Sequence, residues 1–353
     1  PGGRVAMLQP LSFLASKHTA PVRRKLLERS SLVALWHSDR TRFGAAAVAT
    51  CAPTLLVGQH KPQAVACTRG LSQPITRVLP PEDLLKRGTW AHLTTAADAV
   101  PNISLTPRAT IASLATATAD FRDQYYGLAG FLIEDDDIAS DSRNADGAYA
   151  PVVTSGLIDL AVCRWGTSPA RLLKHTWRAP RVDRQRMARD GKLSPWIDRR
   201  LVPKIIVATQ TRAIEAYVDH AGELLPSTPL ITVIPRPPED IWSVAAAIAS
   251  PVSTACAVER YAGTALSPGA IKLGASQVLE LPAPDHSEAS AVAAEMFKRA
   301  QDAGDRDPTD DDAREAALRD FGRASIEAFG LPIALRDPLF QWWADRLTKK
   351  RRS

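Results

Sequence analysis

The densest apolar pattern lies in the middle of the chain. Ile205-Ile206-Val207 and Leu230-Ile231-Thr232-Val233-Ile234 are runs rich in β-branched residues, and such runs suit a pleated, half-buried surface. Between them Ala213, Ile214, Tyr217 and Val218 recur at helical spacing, and His220-Ala221-Gly222 stops the turn. Residues 201–235 therefore predict strand, helix, strand. The first 58 residues alternate in a similar way. Val5-Ala6-Met7-Leu8, after a Gly-Gly turn, predicts a buried strand. Thr19 and Pro21 predict a helix start, with Val22, Leu26 and Leu27 toward a sheet and Arg23, Arg24 and Lys25 toward water. Residues 32–36 and 45–57 predict two further strands around a polar loop at 37–43. This is the grammar of half an α/β sheet.

Residues 59–120 are rich in Pro, Thr, Ala and Ser and read as a connector, weakly helical at 110–118. Aromatics then gather at Phe121, Tyr125 and Tyr126, ahead of an apolar strand at 129–133. The acids Glu134, Asp135, Asp136 and Asp137 follow; they lack the alternation of a calcium loop and read as an exposed turn. Residues 151–166 predict a strand pair. Past the central core, Asp240 predicts the cap of a helix over 241–249, broken by Ser250-Pro251. From 286 the pattern is helical. Val292, Met296 and Ala300 share one face, and Leu318, Phe321, Ile326 and Phe329 share another ahead of Gly330. Asp337-Pro338 predicts the start of a last helix striped by Leu339, Trp342, Trp343 and Leu347.

Composition adds a sign. The 353 residues are 45% hydrophobic and 23% charged, an ordered protein of two or three domains rather than a disordered one. A net charge of +6 favours a polyanionic partner without demanding one. Cys51, Cys67, Cys163 and Cys256 show no CxxC spacing, against a zinc site or a disulfide framework; reduced thiols in a cytoplasmic protein are expected. No apolar run approaches the roughly 20 residues that span a bilayer and no signal peptide is visible, so no membrane partner is expected. A chain that opens Pro1-Gly2-Gly3 in mid-sheet reads as a piece of a longer protein.

Positive charge concentrates at 171–204, in Arg171, Lys174, Arg178, Arg181, Arg184, Arg186, Arg189, Lys192, Arg199, Arg200 and Lys204, with Trp177 and Trp196 interleaved. Asp183, Asp190 and Asp198 offset part of it. A solvated face and a phosphate-tracking surface both fit this pattern. For the second, Arg178, Arg181, Arg184, Arg186 and Lys204 are singled out as DNA contacts. No GxSxG, HExxH, P-loop or GxGxxG is present.

The order of the fragments carries more than any one residue. PGGRVAMLQPLSFL, VRRKLLERSS, LVALWH and Phe43-Gly44 resemble, in that order, the end of the catalytic domain of class γ adenine-N6 DNA methyltransferases. That family includes the TaqI-like enzymes and the large restriction–modification and phage-defence methyltransferases. YYGLAG, PVVTSGLIDL, the W-x-x-P of Trp177 to Pro180, PKIIVA, LITVIP and LELPAP resemble its target-recognition domain. Phe329-Gly330 and Trp342-Trp343-x-x-Arg346-Leu347 resemble its C-terminal helices.

The resemblance implies an α/β fold in four parts: part of an S-adenosylmethionine-dependent methyltransferase sheet (1–58), a connector (59–120), a mixed α/β DNA target-recognition domain (121–285) and a helical C-terminal region (286–353). For the full-length parent it implies a bacterial, site-specific, adenine-specific DNA methyltransferase of a restriction–modification or phage-defence system. Double-stranded DNA and other defence-system subunits are the implied partners, and S-adenosyl-L-methionine the implied cofactor. Such an enzyme must flip its adenine out of the duplex to reach N6. Phe43 matches the aromatic that packs on the flipped base, and Pro10 and Ser12 lie where the fifth strand ends, at the rim of that target-base pocket. The Asn-Pro-Pro-Tyr motif and the Gly-rich first turn of the family do not occur here. The cofactor is therefore expected on residues preceding Pro1, and this chain alone is expected to be inactive. The alternative is a DNA-binding specificity subunit without catalysis, against which the mid-sheet start counts.

Overall fold

The computed structural model describes residues 2–38, 48–58, 64–78, 81–86, 88–94, 100–103, 105, 108–120, 122–139, 147–190, 192–265 and 269–348. Its fold is mixed α/β, with several small sheets and a helical C-terminal region.

The N-terminal sheet has six strands. Thr50–Val57 lies between Arg4–Ala6 and Ser30–His37 and runs antiparallel to both. Ser30–His37 also pairs in parallel with Ala64–Arg69, and Ile75–Val78 closes the far edge. Alternation along Thr50–Val57 sends Cys51 and Leu55 into a core with Leu14, Leu32, Leu35, Val65 and Trp90. The sheet therefore continues to Val78, past the boundary expected at residue 58. The strand expected to be buried at Val5–Leu8 is instead an exposed edge, Arg4–Ala6, because only Thr50–Val57 pairs with it.

In the helix Ala20–Arg29, Leu26 and Leu27 pack on the core and Arg24 and Lys25 face water as expected, but Val22 and Arg23 exchange places. Val22 is 50% exposed, whereas Arg23 is only 2% exposed. The Arg23 guanidinium donates to Phe13 O at 2.5 Å, Ser16 O at 3.1 Å, Thr19 Oγ1 at 2.6 Å and Gly88 O at 2.5 Å. Burial lowers its pKa to about 10, but these oxygens compensate the buried charge, which a single-sequence pattern of polar and apolar letters does not reveal.

The central sheet runs Ala115–Ala119, Ile231–Pro235, Lys204–Val207, Ala216–Asp219, all antiparallel. The helix expected through Ala213–Val218 is thus a strand. Ala216 and Val218 point into the core while Tyr217 points away from it, a period of two that a segment this short shares with a helical spacing. Likewise only Ile111–Leu114 is helical in the 110–118 stretch; the rest is claimed as an edge strand by Ile231–Pro235. The expected strand at 129–133 is displaced to Leu132–Glu134, after the helix Arg122–Gly127 and a turn at Gly130.

Helices cover the central sheet. Ile241–Ala249 and Pro251–Tyr261 join Glu288–Arg306, Asp311–Ala328 and Ile333–Thr348 in one core, which packs Ile205, Val207 and Val233 with Val244, Phe297, Phe321 and Trp343. Phe297, Phe321 and Trp343 meet edge to face at 5.1 and 6.2 Å. The C-terminal region is therefore helical as expected, yet built into the central core. Asp240 makes no side-chain capping bond. Ser250, by contrast, caps the following helix Pro251–Tyr261: its Oγ accepts the Ser253 N–H at 3.0 Å. The last helix begins at Ile333, ahead of Asp337, and carries Pro338 inside it.

A second, outer sheet runs Leu225–Pro226, Tyr149–Val153, Pro180–Asp183, Leu132–Glu134. The hairpin Ala170–Leu172 with His175–Trp177 and the helices Arg184–Asp190 and Ser194–Arg200 pack with it around Leu128, Val152, Val182, Met187 and Trp196. Among the described residues no single helix is long and apolar enough to cross a membrane.

Candidate nucleic-acid interface

The basic segment 171–204 folds into this outer layer as far as Arg200, with Lys204 opening a strand of the central sheet, and its charges divide into two kinds. The first kind is latched. Lys204 is fully buried (0% exposed). Its Nζ donates to Asp219 Oδ2 at 2.5 Å and to Val202 O at 3.2 Å. Asp219 also accepts the N–H groups of Gly222, Glu223 and Leu224 at 3.0, 3.1 and 2.9 Å. Gly222 has φ +75, and a Cβ there would stand 2.6 Å from the Val202 carbonyl carbon, so only glycine fits this turn. Burial lowers the Lys204 pKa, against the opposing pull of Asp219. The expectation that Lys204 meets DNA is therefore corrected: its charge is spent on holding the 219–224 turn.

Arg181 and Arg184 are also engaged internally. Arg181 Nε donates to Asp135 Oδ1 at 2.5 Å with 18% of its side chain exposed, and its guanidinium lies 4.8 Å from the Trp165 ring centroid. Arg184 donates to Asp198 at 2.9 Å and to Gly147 O at 2.8 Å. Arg178 is 75% exposed but pairs with Asp136 at 2.7 Å. Arg186 is exposed and sits 5.7 Å from the Phe131 ring centroid. The acidic turn at 134–137 thus supplies the counter-charge of Arg178 and Arg181. Glu134 additionally accepts the backbone N–H groups of Arg178 and Ala179, each at 2.8 Å. Among the described residues no group of His, Cys, Asp or Glu is placed to hold a metal ion.

The second kind is free. Arg171, Lys174, Arg189, Lys192 and Arg199 are exposed and make no ion pair among the described residues. They lie on or beside the hairpin and the two helices of the outer layer. Of the arginines singled out from the sequence, Arg186 meets the same criterion, exposed and without an ion pair among the described residues, whereas Arg178, Arg181 and Arg184 are paired. No local signal separates the two kinds, because the partners Asp120, Asp135, Asp136 and Asp219 come from other elements. Asp120, for example, takes both the Trp196 indole N–H at 2.9 Å and the Arg200 guanidinium at 2.6 Å.

At the carboxyl ends of the N-terminal strands, where open α/β sheets place ligands, Pro10 stands opposite Thr50 in register. Leu11 N–H donates to Ala49 O at 2.8 Å, and Ser38 N–H to Thr50 O at 2.8 Å. Pro10 thus sits at the root of the 38–49 connection. Ser12 is exposed in the turn Leu11–Leu14 that follows. Phe43 lies outside the described residues. The hollow beside them, lined by Leu11, His37, Ala49, Gly263 and Arg346, measures only about 50 Å³. Leu11 packs so closely on Gly263 that a Cβ there would meet it at 2.5 Å. The nearby thiols of Cys51 and Cys67 are pushed up to about 12 and about 11 by burial, so both stay protonated and unreactive.

The architecture resembles part of a solved restriction–modification enzyme. The type IIL restriction-modification enzyme MmeI, solved in complex with DNA, matches 98% of this chain at 12% identity and a TM-score of 0.58. The chain spans 50% of that protein's length. The type IIG restriction endonuclease BpuSI matches 99% of the chain at 10% identity and TM-score 0.37, over 48% of its own length. A nuclease-deletion mutant of the type ISP enzyme LlaGI, in complex with a DNA substrate mimic, matches 85% at 10% identity and TM-score 0.38, over 35% of its length. No protein-family profile and no curated protein sequence matches the chain.

Proposed function

We propose that this chain is the DNA-binding part of a restriction–modification enzyme, with the outer layer as its phosphate-contacting surface. The carrying observation is the set Arg171, Lys174, Arg189, Lys192 and Arg199, exposed and without ion pairs among the described residues. Cations left without counter-charges on one layer are what a polyanion neutralises, with release of its own counterions. The fold shared with MmeI, a protein solved on DNA, supports the same reading.

In the complete protein the reading extends to site-specific methylation of adenine. Pro10 and Ser12, with Phe43, would form the rim against which the flipped base rests. S-adenosyl-L-methionine, when bound, supplies the methyl group. The hollow at the strand ends does not fit it: at about 50 Å³ it is far below the roughly 300 Å³ at which small-molecule sites begin. No residue of this chain is assigned to the cofactor.

The test is equilibrium binding to a short mixed-sequence duplex across a salt series. Affinity is expected to fall linearly on a log–log plot. Reversing Arg189 and Lys192 together to Glu should weaken binding roughly tenfold for every sequence and flatten the slope. Affinity indifferent to both salt and these reversals would remove the reading.

A further inference from the structure

Tyr126 is 54% exposed, an aromatic ring left in water among cations. It meets Tyr125 edge to face at 5.2 Å, and the Arg122 guanidinium lies 5.7 Å from its centroid. Tyr125 Oη accepts the Leu173 N–H at 2.9 Å. That bond ties the aromatic pair to the hairpin turn Leu173-Lys174, whose φ angles of +53 and +67 are left-handed at two non-glycine positions. Such a turn persists only where its surroundings hold it.

Between the helix Arg122–Gly127, the hairpin and the turn Ser155–Leu157 lies a hollow of about 550 Å³. Arg122, Tyr126, Ser155, Gly156, Arg171 and Pro229 line it, and no carboxylate does. Two guanidinium groups in a lining without an acid call for an anion, and planar forks suit phosphate. A half-exposed tyrosine ring calls for a flat partner. A nucleotide carries both. Inside an intact duplex both faces of each base are already stacked, so this ring can stack only on a base that has left the helix or on a strand end.

We propose that this hollow takes one unstacked nucleotide of the bound DNA, its base against Tyr126 and its phosphate beside Arg122 and Arg171. The proposal rests on the DNA-binding reading above and adds a second nucleotide site, on the outer layer, apart from the rim at Pro10 and Ser12.

The experiment measures binding of the 353-residue chain to three labelled DNAs: a plain duplex, the same duplex with a one-base bulge, and the single strand. Tyr126→Ala is expected to weaken the bulged duplex and the single strand about tenfold and to leave the plain duplex unchanged, with Tyr126→Phe restoring the loss. Arg122→Glu, at an exposed position, should show the same selectivity and serves if Tyr126→Ala fails to fold. A loss equal on all three DNAs, or on none, overturns the unstacked-nucleotide site. The wider reading stands in that case if Arg189→Glu with Lys192→Glu still weakens the plain duplex. A folded wild-type chain that binds none of the three DNAs removes both.

Discussion

Two of the hollows among the described residues are nearly equal in size and opposite in character. One, about 550 Å³, has Arg122 and Arg171 with the exposed Tyr126. The other, about 600 Å³, has Trp165, Tyr217 and Trp242 with Glu223, Asp302 and Asp305. Rings in both meet cations of the protein's own: Arg122 lies 5.7 Å from the Tyr126 centroid in the first, and in the second Lys298 lies 6.0 Å from the Trp242 centroid and Arg181 4.8 Å from that of Trp165. Aromatic walls and volume do not distinguish these sites; the arrival of counter-charges from elsewhere in the chain does. The same difference separates Lys204, which also borders the acidic hollow through Asp219, from Arg171 on the basic one. A latched cation serves the fold, and an unlatched one is available to a partner.

The hardest test of that division is Lys204→Ala. It would leave Asp219 buried and unpaired, and breaking such a pair costs about 3–5 kcal/mol. Urea unfolding should show that loss, while DNA affinity of the folded protein stays unchanged. A variant as stable as the wild type would mean that Lys204 is not latched. Arg181→Gln comes next in size. Its partner Asp135 keeps 18% side-chain exposure, so a stability loss of about 1–3 kcal/mol is expected, with the salt dependence of DNA binding unaltered. A flattened salt slope would instead put Arg181 among the DNA contacts.

The sequence was most legible where a feature is local. The runs around Ile205–Val207 and Ile231–Ile234 form strands because β-branched residues pack well on a pleat, and the tail forms helices because its apolar stripes are long. Tyr217 was misassigned because a short segment cannot separate a period of two from one of 3.6. Arg23 was misplaced because its four oxygen partners include Gly88, far along the chain. The candidate site suffered in the same way. The basic segment was visible as a whole, yet choosing among its cations required knowing where Asp120, Asp135 and Asp219 fold to. The hollow at Tyr126 was invisible, since the Tyr125–Leu173 bond that shapes it spans separate elements.

One pair lies between the two extremes. Glu280 accepts from Tyr261 Oη at 2.5 Å and from Lys17 Nζ at 3.2 Å, so it clasps the N-terminal sheet to the central core. Burial pushes the Glu280 carboxyl up, but the hydrogen bonds from Tyr261 and Lys17 outweigh it and leave the pKa below its ordinary 4.5. A depressed folded value means that the clasp contributes fully above the unfolded pKa. That contribution is lost as the pH falls below about 4.5 and through the folded value. Lys17 and Glu280 are 63% and 47% exposed, so water screens the pair and its share stays under about 1 kcal/mol. Melting curves of wild type and Glu280→Gln should therefore differ slightly at neutral pH and converge in acid. If the gap persists below the folded pKa, the clasp acts through packing rather than charge, and Lys17 joins the unlatched cations.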